Sequence, residues 1–167
     1  MITSSAFMSV LFFGGWELFP SSGHLHWGWI DWLNGAPTFL AMLARFGVEQ
    51  ESRVALALLD TVDFPVIFWG AIRAGVIPVL FNTRLTVAQY RYLLEDSRAK
   101  AIFVSPVILP DVLEASQGVS TLKQIIVVGG GQQEHLRFDQ LLEAETPGSP
   151  AATCADEVAY WLYSSGT

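Results

Sequence analysis

Four short runs, apolar throughout except for Gln124, constrain this chain more than any other feature: Val54–Leu59 (VALALL), Val76–Phe81, Ala101–Val104 and Gln124–Val128 (QIIVV). A strand with one wet face alternates apolar with polar residues. A run that stays apolar belongs to a strand covered on both faces. Between the runs lie stretches with helical spacing. Thr38–Phe46 (TFLAMLARF) has such spacing and Gly47 is a fitting stop. Thr61 or Asp63 is expected to cap a helix over Phe64–Ala74, with Pro65 in the first turn, where a missing N–H costs nothing, and Gly75 at its end. Thr86 caps Val87–Ser97, which places Tyr90, Leu93 and Leu94 at helical spacing. Pro110–Ser116 and Phe138–Ala144 read as further helices. Glu145–Ala155 reads as a loop, and Val158–Tyr163 as a last strand running into Ser164–Thr167. Short crossovers through helices require parallel strands with helices on the faces. The expected fold class is therefore α/β: a Rossmann-like, open, mainly parallel sheet with flanking helices. A closed eight-stranded barrel needs about 250 residues, and this chain has 167.

Composition narrows the function classes. Apolar residues make up 51% of the chain and charged residues 15%, well under the usual ~25%. A disordered chain would be polar and highly charged. The net charge of −7 speaks against a nucleic-acid partner, because phosphate neutralisation needs a basic face. A single cysteine, Cys154, excludes an internal disulfide and a Cys-rich metal site, and fits a cytoplasmic location.

The first 37 residues differ in texture. Residues 1–44 lack Lys and Arg and hold Trp16, Trp27, Trp29 and Trp32. The apolar stretch Ala6–Trp16 falls short of the ~20 residues a spanning helix needs, and Met1–Ser5 lacks the positive charge of a signal peptide. A membrane-surface anchor over residues 6–19 would carry a basic polar face, which is missing, so no membrane partner is expected. His24 and His26 form a His-x-His pair with no carboxylate or thiol to complete a metal set.

Candidate chemistry is sparse. Gly129–Gly131 follows a strand but lacks the G-x-G-x-x-G spacing and an immediate helix, and reads as a strand-to-loop exit. His135 sits in the polar surface stretch Gln-Gln-Glu-His-Leu-Arg. Glu95, Asp96, Glu143 and Glu145 read as solvated faces and helix ends. Cys154 has Asp156 and Glu157 nearby and no positive group to make it a reactive thiolate. No catalytic acid or base and no metal ligand is assigned. The terminal Tyr163-Ser164-Ser165-Gly166-Thr167 differs, because a strand delivers small residues and hydroxyls into a tight turn. Such residues let backbone N–H groups approach phosphate oxygens.

Several blocks together resemble the N-terminal part of the AMP-forming acyl- and aryl-CoA ligases, most closely the benzoate-CoA ligases. They are Leu58-Leu59-Asp60-Thr61-Val62-Asp63-Phe64-Pro65, Phe68-Trp69-Gly70-Ala71-Ile72-Arg73-Ala74-Gly75, Pro78, Phe81-Asn82-Thr83-Arg84-Leu85-Thr86, Tyr92-Leu93-Leu94-Glu95-Asp96-Ser97-Arg98-Ala99 and Trp161-Leu162-Tyr163-Ser164-Ser165-Gly166-Thr167. The resemblance covers roughly residues 39–167. It implies a two-step reaction on an aromatic carboxylic acid with ATP, Mg2+ and CoA, through an acyl-adenylate to a thioester. It implies a phosphate-loop role for Ser164, Ser165, Gly166 and Thr167, whose sequence matches the opening of the family's Ser/Thr/Gly-rich loop. Asn82 and Thr83 belong to the family pattern and read as a structural turn. The expected organisation is an atypical segment over residues 1–37 and a partial adenylating domain over 38–167, cut inside the phosphate loop. The piece alone is expected to be inactive and to bind ATP and CoA poorly. The alternative is a non-catalytic Rossmann-like module that binds a nucleotide or another protein.

Overall fold

The computed structural model describes Leu43, Arg45–Gly129, His135–Glu143 and Ala151–Ser164. The Trp-rich segment, most of the first predicted helix, Gly130–Gly131 and Ser165–Thr167 lie outside these residues. In chain order the elements are β1 (Arg53–Ala57), α1 (Asp63–Arg73), β2 (Ile77–Leu80), α2 (Val87–Ser97), β3 (Ala101–Val104), α3 (Leu109–Ser116), β4 (Gln124–Val127), β5 (Leu136–Arg137), α4 (Phe138–Glu143) and β6 (Trp161–Leu162).

All six strands form one parallel sheet in the order β5-β4-β3-β1-β2-β6. The apolar runs are buried on both sides as their composition requires: every residue of β3 is buried, as are four of the five in β1. Alternate residues feed two cores. Val54, Leu56 and Phe103 pack with Ile67 and Ala71 of α1 and with Phe138. Ala55, Val79, Ile102 and Val104 pack with Tyr90 and Leu94 of α2 and with Val112 and Ala115 of α3. The sheet is thus the middle of three layers, the arrangement that short crossovers impose on parallel strands.

Helix ends follow local chemistry, with one departure from the sequence. Thr86 forms a capping box: its N–H donates to Gln89 Oε1 at 2.9 Å, and its hydroxyl accepts from Gln89 N–H at 3.4 Å. Neither Thr61 nor Asp63 caps α1; Val62 holds that position without a side-chain hydrogen bond, and Asp63 lies in the first turn. A carboxylate there still favours the helix, because it faces the positive end of the helix dipole. At the other end Gly75, at φ +69°, closes α1. Its N–H bonds to Ile72 O and that of Val76 to Ala71 O, each at 2.9 Å, the paired bonds of a Schellman turn. The C-termini of two further helices are held by arginines. Arg91 Nη2 donates to Glu114 O at 2.9 Å, in α3. Arg53 Nε donates to Ser97 O at 2.9 Å, the end of α2.

Two strands differ from expectation. β5 falls in the stretch read as polar surface; its two residues pair with Ile126 and Val127. The last strand pairs at Trp161 and Leu162 alone, against Val79 and Leu80, rather than over Val158–Tyr163.

Candidate functional site

Because every strand runs the same way, the carboxyl ends of β1, β2, β3, β4 and β6 share one edge of the sheet. β1 leads to β2 on one side, and the chain then returns across β1 to place β3 on its other side. That reversal makes the β1/β3 crevice the topological switch point, the usual ligand position in open α/β sheets. There the Leu59 N–H donates to Ser105 Oγ at 2.9 Å, and the Ser105 N–H donates to Ala57 O at 3.1 Å. The 3%-exposed Ser105 therefore ties the two strand ends together. Asp60 and Asn82 stand exposed on the same edge.

Asn82 does what its family-pattern reading expects. Its Oδ1 accepts the Arg84 N–H at 2.9 Å, and its carbonyl accepts the Tyr90 hydroxyl at 2.9 Å. These contacts make a side-chain-stabilised turn. Gly129 exits β4 at φ +84°, and nothing among the described residues lies within 4 Å of a Cβ added there. His135 precedes β5 and is half-buried. Cys154 is exposed, and its thiol meets Glu157 Oε1 at 3.5 Å.

Of the four predicted phosphate-loop residues, Ser164 is described and exposed; Ser165, Gly166 and Thr167 lie outside the described residues. Ser164 leaves the carboxyl end of β6. Two side chains of β6 and its exit face α2. Trp161 lies under the Arg53 guanidinium, 5.6 Å from carbon to ring centroid. Tyr163 packs edge-on against Phe81, ring centroids 6.3 Å apart. Its hydroxyl donates to Asp96 Oδ2 at 2.6 Å. A shallow cleft of about 270 Å³ is bounded by Asp96 and Tyr160–Tyr163. A second cleft, of about 340 Å³, lies at the amino-terminal ends of β1 and β2, between Arg53, Ile77, Thr153 and Cys154. Sequence reading did not find the Tyr163–Asp96 and Ser105–Leu59 contacts. A signal for the first was present: an acidic residue in the last turn of α2 opposes the helix dipole, so its place calls for a partner.

Burial, and then the hydrogen bond and charge of Asp96, push the Tyr163 hydroxyl well above its usual value; burial also raises Tyr90. Both rings therefore stabilise the fold in their neutral form. That contribution is complete below the unfolded tyrosine value of about 10 and is lost as pH rises toward the folded value. In an absorbance titration of the four tyrosines, Tyr163→Phe should delete a late-ionising component. Deletion of an early component instead would contradict the half-buried, acceptor-paired hydroxyl.

An open parallel sheet with a switch point at the carboxyl ends of β1 and β3 defines the class of α/β proteins that take ligands at that edge. The chain belongs to the AMP-binding enzyme family, whose model matches residues 35–167. Over 127 residues, 75% of this chain, it is 60% identical to the 4-hydroxybenzoate–CoA/benzoate–CoA ligase of Rhodopseudomonas palustris. It is 37% identical over 127 residues to the benzoate–CoA ligase of Thauera aromatica. Each match spans 24% of the relative, so the chain covers about a quarter of their length. Among solved structures, the benzoate CoA ligase of Burkholderia xenovorans superimposes with a TM-score of 0.72 at 38% identity, over 81% of this chain and 27% of that one. The anthranilate CoA ligase AuaEII, in complex with anthranoyl-AMP, superimposes at 0.75 with 29% identity, over 81% and 26%. Among the described residues no helix is long and apolar enough to cross a membrane.

Proposed function

We propose that residues 38–167 form the first part of the adenylating domain of an ATP-dependent aryl-acid CoA ligase. The family match begins three residues ahead of that boundary, at residue 35. In the reaction a carboxylate oxygen of a benzoate-like acid attacks the α-phosphorus of Mg·ATP. The bond to pyrophosphate breaks and an acyl-adenylate forms. The CoA thiolate then attacks the acyl carbon, and AMP leaves with the electron pair of the broken C–O bond. Activation is the purpose of the first step, since AMP is a far better leaving group than oxide. The observation that carries this reading is the 60% identity to a 4-hydroxybenzoate and benzoate ligase.

Within this chain Ser164–Thr167 would hold the phosphates by backbone N–H and hydroxyl groups. Charge developing on the departing pyrophosphate is stabilised best by donors already in place. Ser164 fits, being an exposed hydroxyl at the carboxyl edge of the sheet. Among the described residues no group of three or more His, Cys, Asp or Glu could hold a metal. Mg2+ would arrive with the nucleotide, whose phosphates supply much of its usual oxygen shell.

A chimera tests this reading. The matching 127 residues of the R. palustris ligase are exchanged for those of this chain. The chimera should form benzoyl-CoA with kcat/KM within roughly a hundredfold of the parent, about 3 kcal/mol in transition-state terms. A folded chimera that binds ATP yet forms neither adenylate nor thioester would rule the reading out and favour a binding module. The 167-residue chain by itself is expected to show no benzoate-dependent pyrophosphate exchange, because it spans a quarter of the enzymes that carry the activity.

A further inference from the structure

The segment around β6 presents a mechanical problem. Two residues pair, on one strand neighbour, and both Trp161 and Leu162 are exposed. From Val158 to Ser164 every residue is exposed except Tyr163. A strand held so lightly does not by itself fix the direction in which the chain leaves it, yet Ser164 is the next residue.

We propose that Tyr163 is a positioning residue whose hydrogen bond to Asp96 sets the course of the backbone at Ser164. Its bearing on function rests on the phosphate-loop reading of Ser164–Thr167. Three observations carry it. The bond is 2.6 Å, in the range of a hydroxyl donating to a carboxylate, which is about twice as strong as a neutral pair. The ring is also wedged against Phe81, itself packed on Tyr90, so one end of the strut rests on the core. Asp96, exposed in the last turn of α2, stands where its charge works against the helix dipole; helix stability does not account for it, whereas the contact with Tyr163 does. Two residues earlier on the same face, Trp161 meets Arg53, which also bonds the end of α2 through Ser97 O. The last turn of α2 thus braces β6 on both sides of Leu162.

The test uses the full chain. Amide hydrogen exchange is followed at Ser164 and at Ile102, in the middle of the sheet, in wild type, Tyr163→Phe, Asp96→Leu and Asp96→Asn. Inorganic pyrophosphate is titrated to tens of millimolar, with the Ser164 amide shift as readout. We expect exchange at Ser164 to quicken roughly tenfold in Tyr163→Phe and Asp96→Leu, with Ile102 unchanged. The double variant should be no faster than either single one. Asp96→Asn, which keeps an acceptor, should recover most of the protection. Unchanged exchange at Ser164, or equal quickening at Ile102, would overturn the proposal. If Tyr163→Phe does not fold, the exposed Asp96 variants carry the same comparison. A wild-type Ser164 amide that ignores pyrophosphate counts against the phosphate-loop reading, while the exchange rates still decide whether Tyr163 sets the backbone there.

Discussion

Phe103→Ala should lower the unfolding free energy by about 3–5 kcal/mol, the range for emptying a fully buried aromatic site. Phe103 is 0% exposed and sits in β3, all of whose residues are buried. Its ring meets Phe138 edge-on at 5.8 Å and shares a core with Leu56, Ile67 and Ile126. Two elements far apart in sequence, β3 and the start of α4, meet through that pair. The cavity has little means of closing, because the strands on either side are fixed by the ladders to β1 and β4. In thermal melts the loss should appear as a midpoint lowered by roughly 6–20 °C. Val107→Ala, at a 71%-exposed position just beyond the same strand, should leave the midpoint nearly unchanged. A shift under 2 °C for Phe103→Ala would mean that the core described here is not the one that forms.

The second large effect is expected at Gly75. A side chain there meets two obstacles. The backbone lies at φ +69°, where a residue with a Cβ is strained by roughly 1–2 kcal/mol. The added Cβ would also lie 2.9 Å from Gln50 Cγ and 3.0 Å from Ala151 Cβ. Gln50 can swing aside, at the expense of its 3.1 Å hydrogen bond to Ala152 O. Ala151 cannot move freely, since its N–H is bonded to Arg73 O at 3.2 Å. Gly75→Val should therefore cost about 2–4 kcal/mol, strain and crowding together. Gly47→Ala is the control: φ is again +68°, but nothing lies within 4 Å of the added carbon. It should show the backbone strain alone, about 1–2 kcal/mol. Equal costs at the two glycines in urea melts would remove the contact with residues 50 and 151 from the account.

How much of this was legible beforehand depended on how local the cause was. The four main strands announced themselves because double-sided burial confines polar residues to their first positions, Arg53 in β1 and Gln124 in β4. α2 was read to its exact ends, Val87–Ser97, because the capping box lies wholly within Thr86–Gln89. The start of α1 was harder to place because two plausible caps, Thr61 and Asp63, flank the residue between them, Val62, that holds the position. β5 was missed for another reason. Leu136–Arg137 has no strand-like pattern, and its pairing with Ile126 and Val127 is a product of the sheet already being there. The candidate site shows the same division. The place of Ser164 at the exit of β6 was legible from a strand running into small hydroxyl residues. Asp96 and Tyr163 lie 67 positions apart, and no periodicity connects them; nor does any connect Leu59 with Ser105, 46 positions apart.

The place of β6 in the sheet bears on how the chain is made. β6 pairs with β2, although about 80 residues separate them and β3, β4 and β5 are built from sequence in between. At a translation rate of roughly 5–20 residues per second, β2 waits some 4–16 seconds for this neighbour. Its backbone is an open template for other chains during that interval. Conditions that slow elongation between codons 81 and 161 should therefore raise aggregation without altering the stability of the finished protein.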